Sequence, residues 1–357
     1  MKNCTKQKAA AFIKNIKLIR SFRFFLQTVD ARTYYPEKER KSYIRRLYDN
    51  LWWSLKYREP NMSYTAYGLD IINSDAALFL DEKHSVRTRS LMNGTRKGKK
   101  IKTQNQTVLV EDKFVFYCFL KGLKVSTPEC FALVNHGKLM FLNGYSELKM
   151  LQNNNKIFAK KCMSGQGKDV RCITSKKELD DILKEWNNDK FILQEAVTQH
   201  SALNQFYDQS VNTIRLVTFH DGEKVMPFHA FLRCGTRYSG KVDNVHSGGL
   251  AVGIDAEGKL MKYGYLGIHY GTKTTIHPDT GVTFYEKEIP FYEEAVREAV
   301  RLHEKMEGIC SVGWDIAITE NGPIFLEGNA GWGLEMVQIC YGGIRKDWLE
   351  LCRKRGL

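Results

Sequence analysis

A chain of 357 residues with 43% hydrophobic and 26% charged content can bury a sizeable core and is sized for two or three subdomains. No apolar run reaches the length of a membrane span, which excludes an integral helical membrane protein. The net charge of +14 sits at two places: residues 1–46 hold thirteen Lys/Arg against three acids and residues 87–102 hold seven against none. The rest is slightly acidic, which argues against nucleic acid as a partner held in a channel through the core.

The nine cysteines are odd in number and show neither a CxxC pair nor zinc spacing, so free thiols in a reducing compartment are expected. Lys14, Lys17 and Arg20 interrupt the N-terminal apolar residues, so no signal peptide is expected and the location is expected to be cytoplasmic. Over residues 8–26, Phe12, Ile16, Ile19, Phe22 and Leu26 recur at helical spacing among Lys14, Lys17, Arg20 and Arg23. This predicts a basic amphipathic helix, either docked on its own domain or lying peripherally on an anionic membrane surface. Arg45, Arg46, Trp52, Trp53 and Tyr57 continue the pattern, with aromatics suited to a core or to a headgroup region. The run from Arg87 to Lys102 reads as a solvated loop or a contact for an acidic partner.

From residue 111 the pattern becomes compact. A helix-like stretch (EDKFVFYCFLKGL) precedes a short strand within KVSTPECFALV, and a strand over Lys156–Met163 runs into Ser164-Gly165-Gln166-Gly167-Lys168. Small residues there let backbone N–H groups close around phosphate oxygens. A polar helix over Ser175–Trp186 and a strand over Phe191–Val197 follow. Next, VNTIRLVTF and KVMPFHAFLRCG flank a hairpin signal at His220–Glu223 and place Arg215 and Arg233 among strand neighbours, where a guanidinium needs a carboxylate or an anionic ligand. After Asn244 and Ser247-Gly248-Gly249 comes the strand LAVGID; Tyr265–Glu286 reads as an irregular insertion, and Phe291–Met306 as an amphipathic helix.

The last unit is Ser311–Asn329, two strands joined at Glu320-Asn321-Gly322, where Asn-Gly offers positive φ. Alternation puts Val312, Trp314, Ile316, Ile318, Ile324 and Leu326 on one row, and Asp315, Ala317, Thr319, Phe325, Glu327 and Asn329 on the other. A three-residue loop sets Asp315 opposite Glu327; a two-residue Asn-Gly loop sets it opposite Gly328. Two carboxylates and an amide oxygen on one face suit Mg²⁺ held with substrate phosphates. Gly328, Gly331 and Gly333 leave room for a group to approach the backbone.

Taken in order, the lysine strand, glycine loop, Q-E-hydrophobic strand, arginine hairpin, N…GG loop and D…ExN resemble the ATP-grasp superfamily over roughly residues 111–345. The phrases QHSALNQFYDQSVNTIRLVTF and VGWDIAITENGPIFLEGNAGWG are most similar to the sugar-transfer-associated ATP-grasp family. The resemblance implies an α+β fold, two subdomains clasping a nucleotide, preceded by a basic, mostly helical region. The divisions expected are 1–60, 61–110 with the basic loop, 111–200 and 201–357. It implies ATP and Mg²⁺ as cofactors. Lys113, Lys160, Ser164, Gly165, Gly167 and Lys168 would meet the phosphates; Gln194, Glu195 and Val197 the adenine; Asp315, Glu327 and Asn329 the metal. Arg215, Arg233 and Asn244 would lie near the γ-phosphate and an acyl-phosphate. Lys161 stands where the family usually has proline, and no acid matches the ribose-binding one.

The reaction implied is attack of a carboxylate on the γ-phosphate, then displacement of phosphate by an amine, with the protein positioning groups and neutralising charge. The expected partners are a small-molecule or lipid-linked sugar and an amine or carboxylate co-substrate, in surface-polysaccharide synthesis. The alternatives are a kinase of the same fold acting on a hydroxyl, and a non-catalytic binder of acidic polymers.

Overall fold

The computed structural model describes residues 25–96, 99–100, 106–153, 156–164, 169–267 and 272–357. The helix expected over 8–26, save its last two residues, and Gly165, Gly167 and Lys168 of the glycine loop lie outside these. So do Lys97 and Lys102 of the basic run.

Local capping explains where the first helices start. In α1 (Tyr43–Tyr57) the Ser42 side chain accepts from the Arg45 N–H, and Arg58 ends the helix with φ 58°. Asp81 caps α2 (Glu82–Met92) by accepting from His84 N–H. The single turn α3 (Val108–Glu111) runs through Asp112 into α4 (Lys113–Gly122), with Asp112 accepting from the N–H groups of Phe114 and Val115.

A five-stranded sheet follows, built from β1 (Cys130–Asn135), β2 (Lys138–Phe141), β3 (Ile157–Lys161), β4 (Val170–Ile173) and β5 (Lys190–Glu195), in the order β2-β1-β5-β3-β4. Every pairing in it is antiparallel. Helix α5 (Lys176–Glu185), capped by Ser175, buries Leu179 and Ile182 against Phe131, Ile157 and Phe191 of this sheet.

The second sheet has seven strands: β6 (Thr213–His220), β7 (Val225–Cys234), β8 (Leu250–Ile254), β9 (Leu260–Leu266), β10 (Lys273–Thr274), β11 (Ser311–Thr319) and β12 (Gly322–Asn329). Their order is β10-β9-β8-β7-β6-β11-β12, again antiparallel. One face packs under α6 (Tyr292–His303) and α4, through Ala295, Leu302, Phe116, Ile214 and Trp314. The other is covered by α7 (Leu334–Tyr341), α8 (Arg345–Lys354) and the N-terminal region, through Val337, Trp348, Tyr34, Leu80 and Phe219. Covering on both faces is why every residue of β11 is buried. The α+β class with two antiparallel sheets agrees with the sequence reading.

Four expectations are corrected. The run from Arg87 does not begin as a solvated loop, because residues 87–92 are the end of α2 and Arg89 and Met92 are buried. The stretch from Tyr265 is not wholly irregular, because β9 continues to Leu266 and Lys273–Thr274 adds a short strand to its edge. In the β11–β12 hairpin only Gly322 takes positive φ; Asn321 does not. The rows also change. Ile316 pairs with Phe325 and Ala317 with Ile324, so Phe325 faces the core beside Trp314, while Ile324 turns to the Asp315 side. Thr319 pairs with Gly322, and the ladder shifts between Asp315 and Ile316, leaving Leu326 as one extra residue on the return strand. That bulge restores Asp315 opposite Glu327 despite the shorter connection.

Candidate active site

Cross-strand register builds the polar face. Asp315 lies opposite Glu327 on one side and Arg215 on the other, and Arg233 lies opposite Thr213, two residues along β6 from Arg215. Directly opposed residues and residues two apart share a face, so all four charged side chains project together.

Their electrostatics form an alternating chain. Asp315, only 2% exposed, accepts from Arg215 Nε, from Arg215 Nη2 at 3.0 Å and from Arg233 Nη2 at 2.9 Å. Burial alone would raise its pKa, but the two guanidinium groups outweigh burial and hold the carboxyl well below the usual range. Arg233 is shared with Asp243, 3.4 Å from its Nε, and donates to Thr213 Oγ1, which in turn donates to Asp243. Glu327 is less neutralised. Burial and the charge of Asp315 raise its pKa, and Lys113 Nζ at 3.5 Å offsets only part of that.

The five-stranded sheet contributes the other wall. Lys113 also donates to the Ser164 backbone carbonyl at 2.6 Å, tying the start of α4 to the residue that enters the glycine loop. Lys160 on β3 donates to Gln194 Oε1 at 2.9 Å, and burial lowers its pKa to about 8. Gln194 Nε2 donates to Pro128 O, so that side chain is turned into the sheet. Glu195 accepts from Glu129 N–H at 2.8 Å, and Val197 sits half-buried just beyond β5. Lys161, in the position of the family's proline, pairs with Asp189 at 2.9 Å. Asn244 is used locally, its Oδ1 accepting from His246 N–H to cap a short turn.

A cavity of about 250 Å³ opens between these walls, lined by Val110, Lys113, Ser164, Glu327, Gly328 and Asn329 among others. Asn329 Nδ2 is buried there with no hydrogen-bond partner among the described residues. An under-neutralised carboxylate and an amide two residues apart on one strand fit a hard cation. Asp315 is committed to two arginines, so Glu327 and Asn329 carry that fit. Among the described residues no group of three or more His, Cys, Asp or Glu is gathered to hold a metal.

The glycines divide. A Cβ on Gly328 would come within 2.9 Å of the Val110 side chain, so this glycine admits α3 and not a ligand, whereas Gly331 has open space around it. Sequence reasoning missed Asp243, whose signal was its position one residue before Asn244 and two half-buried arginines needing acids. It also missed the pair His246–Glu335, 3.0 Å apart, in which the hydrogen bond to Glu335 raises the histidine pKa.

Residues 95–350 match the family model described as sugar-transfer associated ATP-grasp. No curated protein matches the sequence. Among solved structures, the chain is similar to N5-carboxyaminoimidazole ribonucleotide synthetase from Thermotoga maritima, at 14% identity and a TM-score of 0.36, with 62% of this chain and 42% of that one covered. It is also similar to the ATP-grasp ligase PsnB in complex with a precursor peptide and AMPPNP, at 13% identity, TM-score 0.40, 69% and 60% covered. A third is D-alanine–D-alanine ligase from Bacillus anthracis in complex with ATP, at 14% identity, TM-score 0.41, 70% and 67% covered. The chain thus spans less than two thirds of the synthetase and of PsnB.

Proposed function

The chain belongs to the sugar-transfer-associated ATP-grasp family, and from that premise we propose that it is an ATP- and Mg²⁺-dependent carboxylate–amine ligase acting in the synthesis or modification of a surface polysaccharide. The observation that carries this reading is the cavity where Lys113 and Ser164 face Glu327 and Asn329. Polyphosphate needs cations on one side and a metal-binding carboxylate on the other, and both supports are present.

Each residue has a task in this reading. Lys113 and Lys160 would attract the phosphates, and the glycine loop of Ser164, Gly165, Gly167 and Lys168 is the segment assigned to them by the family resemblance. Gln194, Glu195 and Val197 border the base. Glu327 and Asn329, with Asp315 beside them, would hold Mg²⁺, which when bound neutralises phosphate charge. Arg215 and Arg233, which pair with Asp315, would accept a carboxylate or acyl-phosphate, with Asn244 in the same task. A sugar acid or amino sugar, free or lipid-linked, is the substrate class proposed. Contact with the inner membrane face through residues 8–26 would bring the enzyme to such intermediates; no helix among the described residues is long and apolar enough to cross a membrane.

Calorimetry of Mg-ATP binding tests the site. Binding should require Mg²⁺ and weaken about tenfold or more in Glu327→Ala and Lys160→Ala. Wild type that binds no nucleotide overturns the reading. Hydroxylamine should then trap an ATP- and substrate-dependent hydroxamate; a stable phosphorylated hydroxyl product would instead identify a kinase.

A further inference from the structure

Helix α1 has two opposite stripes. Arg46, Asn50, Trp53 and Tyr57 recur at i, i+4, i+7 and i+11 and face inward, with Trp53 packed on Tyr64, Leu69 and Phe79. Ile44, Tyr48, Leu51 and Leu55 repeat the same spacing on the opposite side and are 78%, 57%, 50% and 73% exposed. Single exposed apolar residues are ordinary, but four in one helical row are not scattered.

We infer that the Ile44–Tyr48–Leu51–Leu55 face is a docking surface for an anionic phospholipid bilayer, with α1 lying in the headgroup plane. The flanks fit this partner. Arg45 is exposed, Lys56 stands 4.4 Å from the Trp52 ring centroid, and Tyr43 and Trp52 border the stripe as aromatics do at a membrane interface. Asp49, the one acid of the helix, is already paired with Lys41 at 2.7 Å and Arg45 at 3.1 Å. Charge selects the lipid over other covers. A second copy would set two basic regions against each other, and residues 1–24 of the same chain add seven Lys/Arg and no acid. An anionic bilayer neutralises both. The inference is independent of the ligase reading, since no residue of α1 lies in the nucleotide cavity.

The test is flotation of the full chain with vesicles of phosphatidylcholine alone or of equal phosphatidylcholine and phosphatidylglycerol. Wild type should float with the anionic vesicles and release as salt is raised. Leu51→Glu/Leu55→Glu should lose binding about tenfold or more, while its melting temperature and Mg-ATP binding stay at wild-type values. Ile16→Glu/Ile19→Glu, on the segment proposed to contact the same membrane face, should weaken binding by less than the α1 change does. The inference fails if the α1 variant floats like wild type, or if wild type floats with neither vesicle. It also fails if light scattering finds a dimer, without vesicles, that the α1 substitutions dissociate.

Discussion

At the scale of single residues, Asp315 shows how a buried charge is kept. Its two arginine partners hold it ionised, and removing one leaves a buried carboxylate with half of its neutralising charge. Arg215→Met should therefore destabilise the fold by about 3 kcal/mol in urea unfolding. Adding Asp315→Asn to that variant should recover part of the loss, because the carboxylate that needed the guanidinium is gone. Equal and additive losses would mean that the pair contributes no coupling. Lys160 behaves oppositely. Burial holds its folded pKa near 8 against an ordinary 10.5, so the folded state binds its proton more weakly than the unfolded state does. The cost is fully present below about pH 8 and fades as pH rises towards 10.5. Lys160→Met should thus raise stability at pH 7 by about 2 kcal/mol, with the gain shrinking above pH 8, while Mg-ATP binding is lost. A stabilising substitution that removes binding is the mark of a charge kept for a ligand.

At the scale of elements, the β11–β12 hairpin separates what alternation can and cannot predict. Alternation puts Asp315 and Glu327 on one face, but leaves Glu327 or Gly328 as the residue opposite Asp315, and the bulge rather than the loop length decides for Glu327. Alternation puts Ile324 and Phe325 on the wrong faces, because nothing near Leu326 announces an extra residue in the return strand. The bulge is a property of the pairing, which sequence periodicity does not carry. The same limit explains Asp243, whose role depends on a loop brought over β6 and β7. The glycines make this testable. Gly328→Ala forces its Cβ onto Val110 and should cost about 1–3 kcal/mol in thermal unfolding, whereas Gly331→Ala, with open space, should leave the melting temperature unchanged. If both are silent, α3 is not seated against β12 in solution.

At the scale of the whole molecule, the N-terminal region is part of the large sheet's core and not an appendage. Tyr34 donates to Leu266 O, Arg345 donates to Phe79 O and to the Tyr57 hydroxyl, and Arg89 donates to Trp332 O. Gln338 on α7 closes the seam most completely. Its Oε1 accepts from Leu80 N–H at 2.7 Å, and its Nε2 donates to Leu80 O at 2.9 Å and to the Tyr67 hydroxyl at 3.0 Å. Replacing it by leucine keeps the volume but leaves the Leu80 backbone buried and unpaired, a loss of about 2–4 kcal/mol. That loss is local to the seam. In Gln338→Leu, hydrogen exchange should therefore accelerate across residues 63–92, while amides of β6 to β8, bonded within the sheet, keep wild-type protection. Uniform acceleration would mean that the two parts unfold as one cooperative unit. Selective acceleration would mean that the surface carrying α1 can loosen without opening the nucleotide cavity, so membrane docking and ATP binding would be separable properties of one fold.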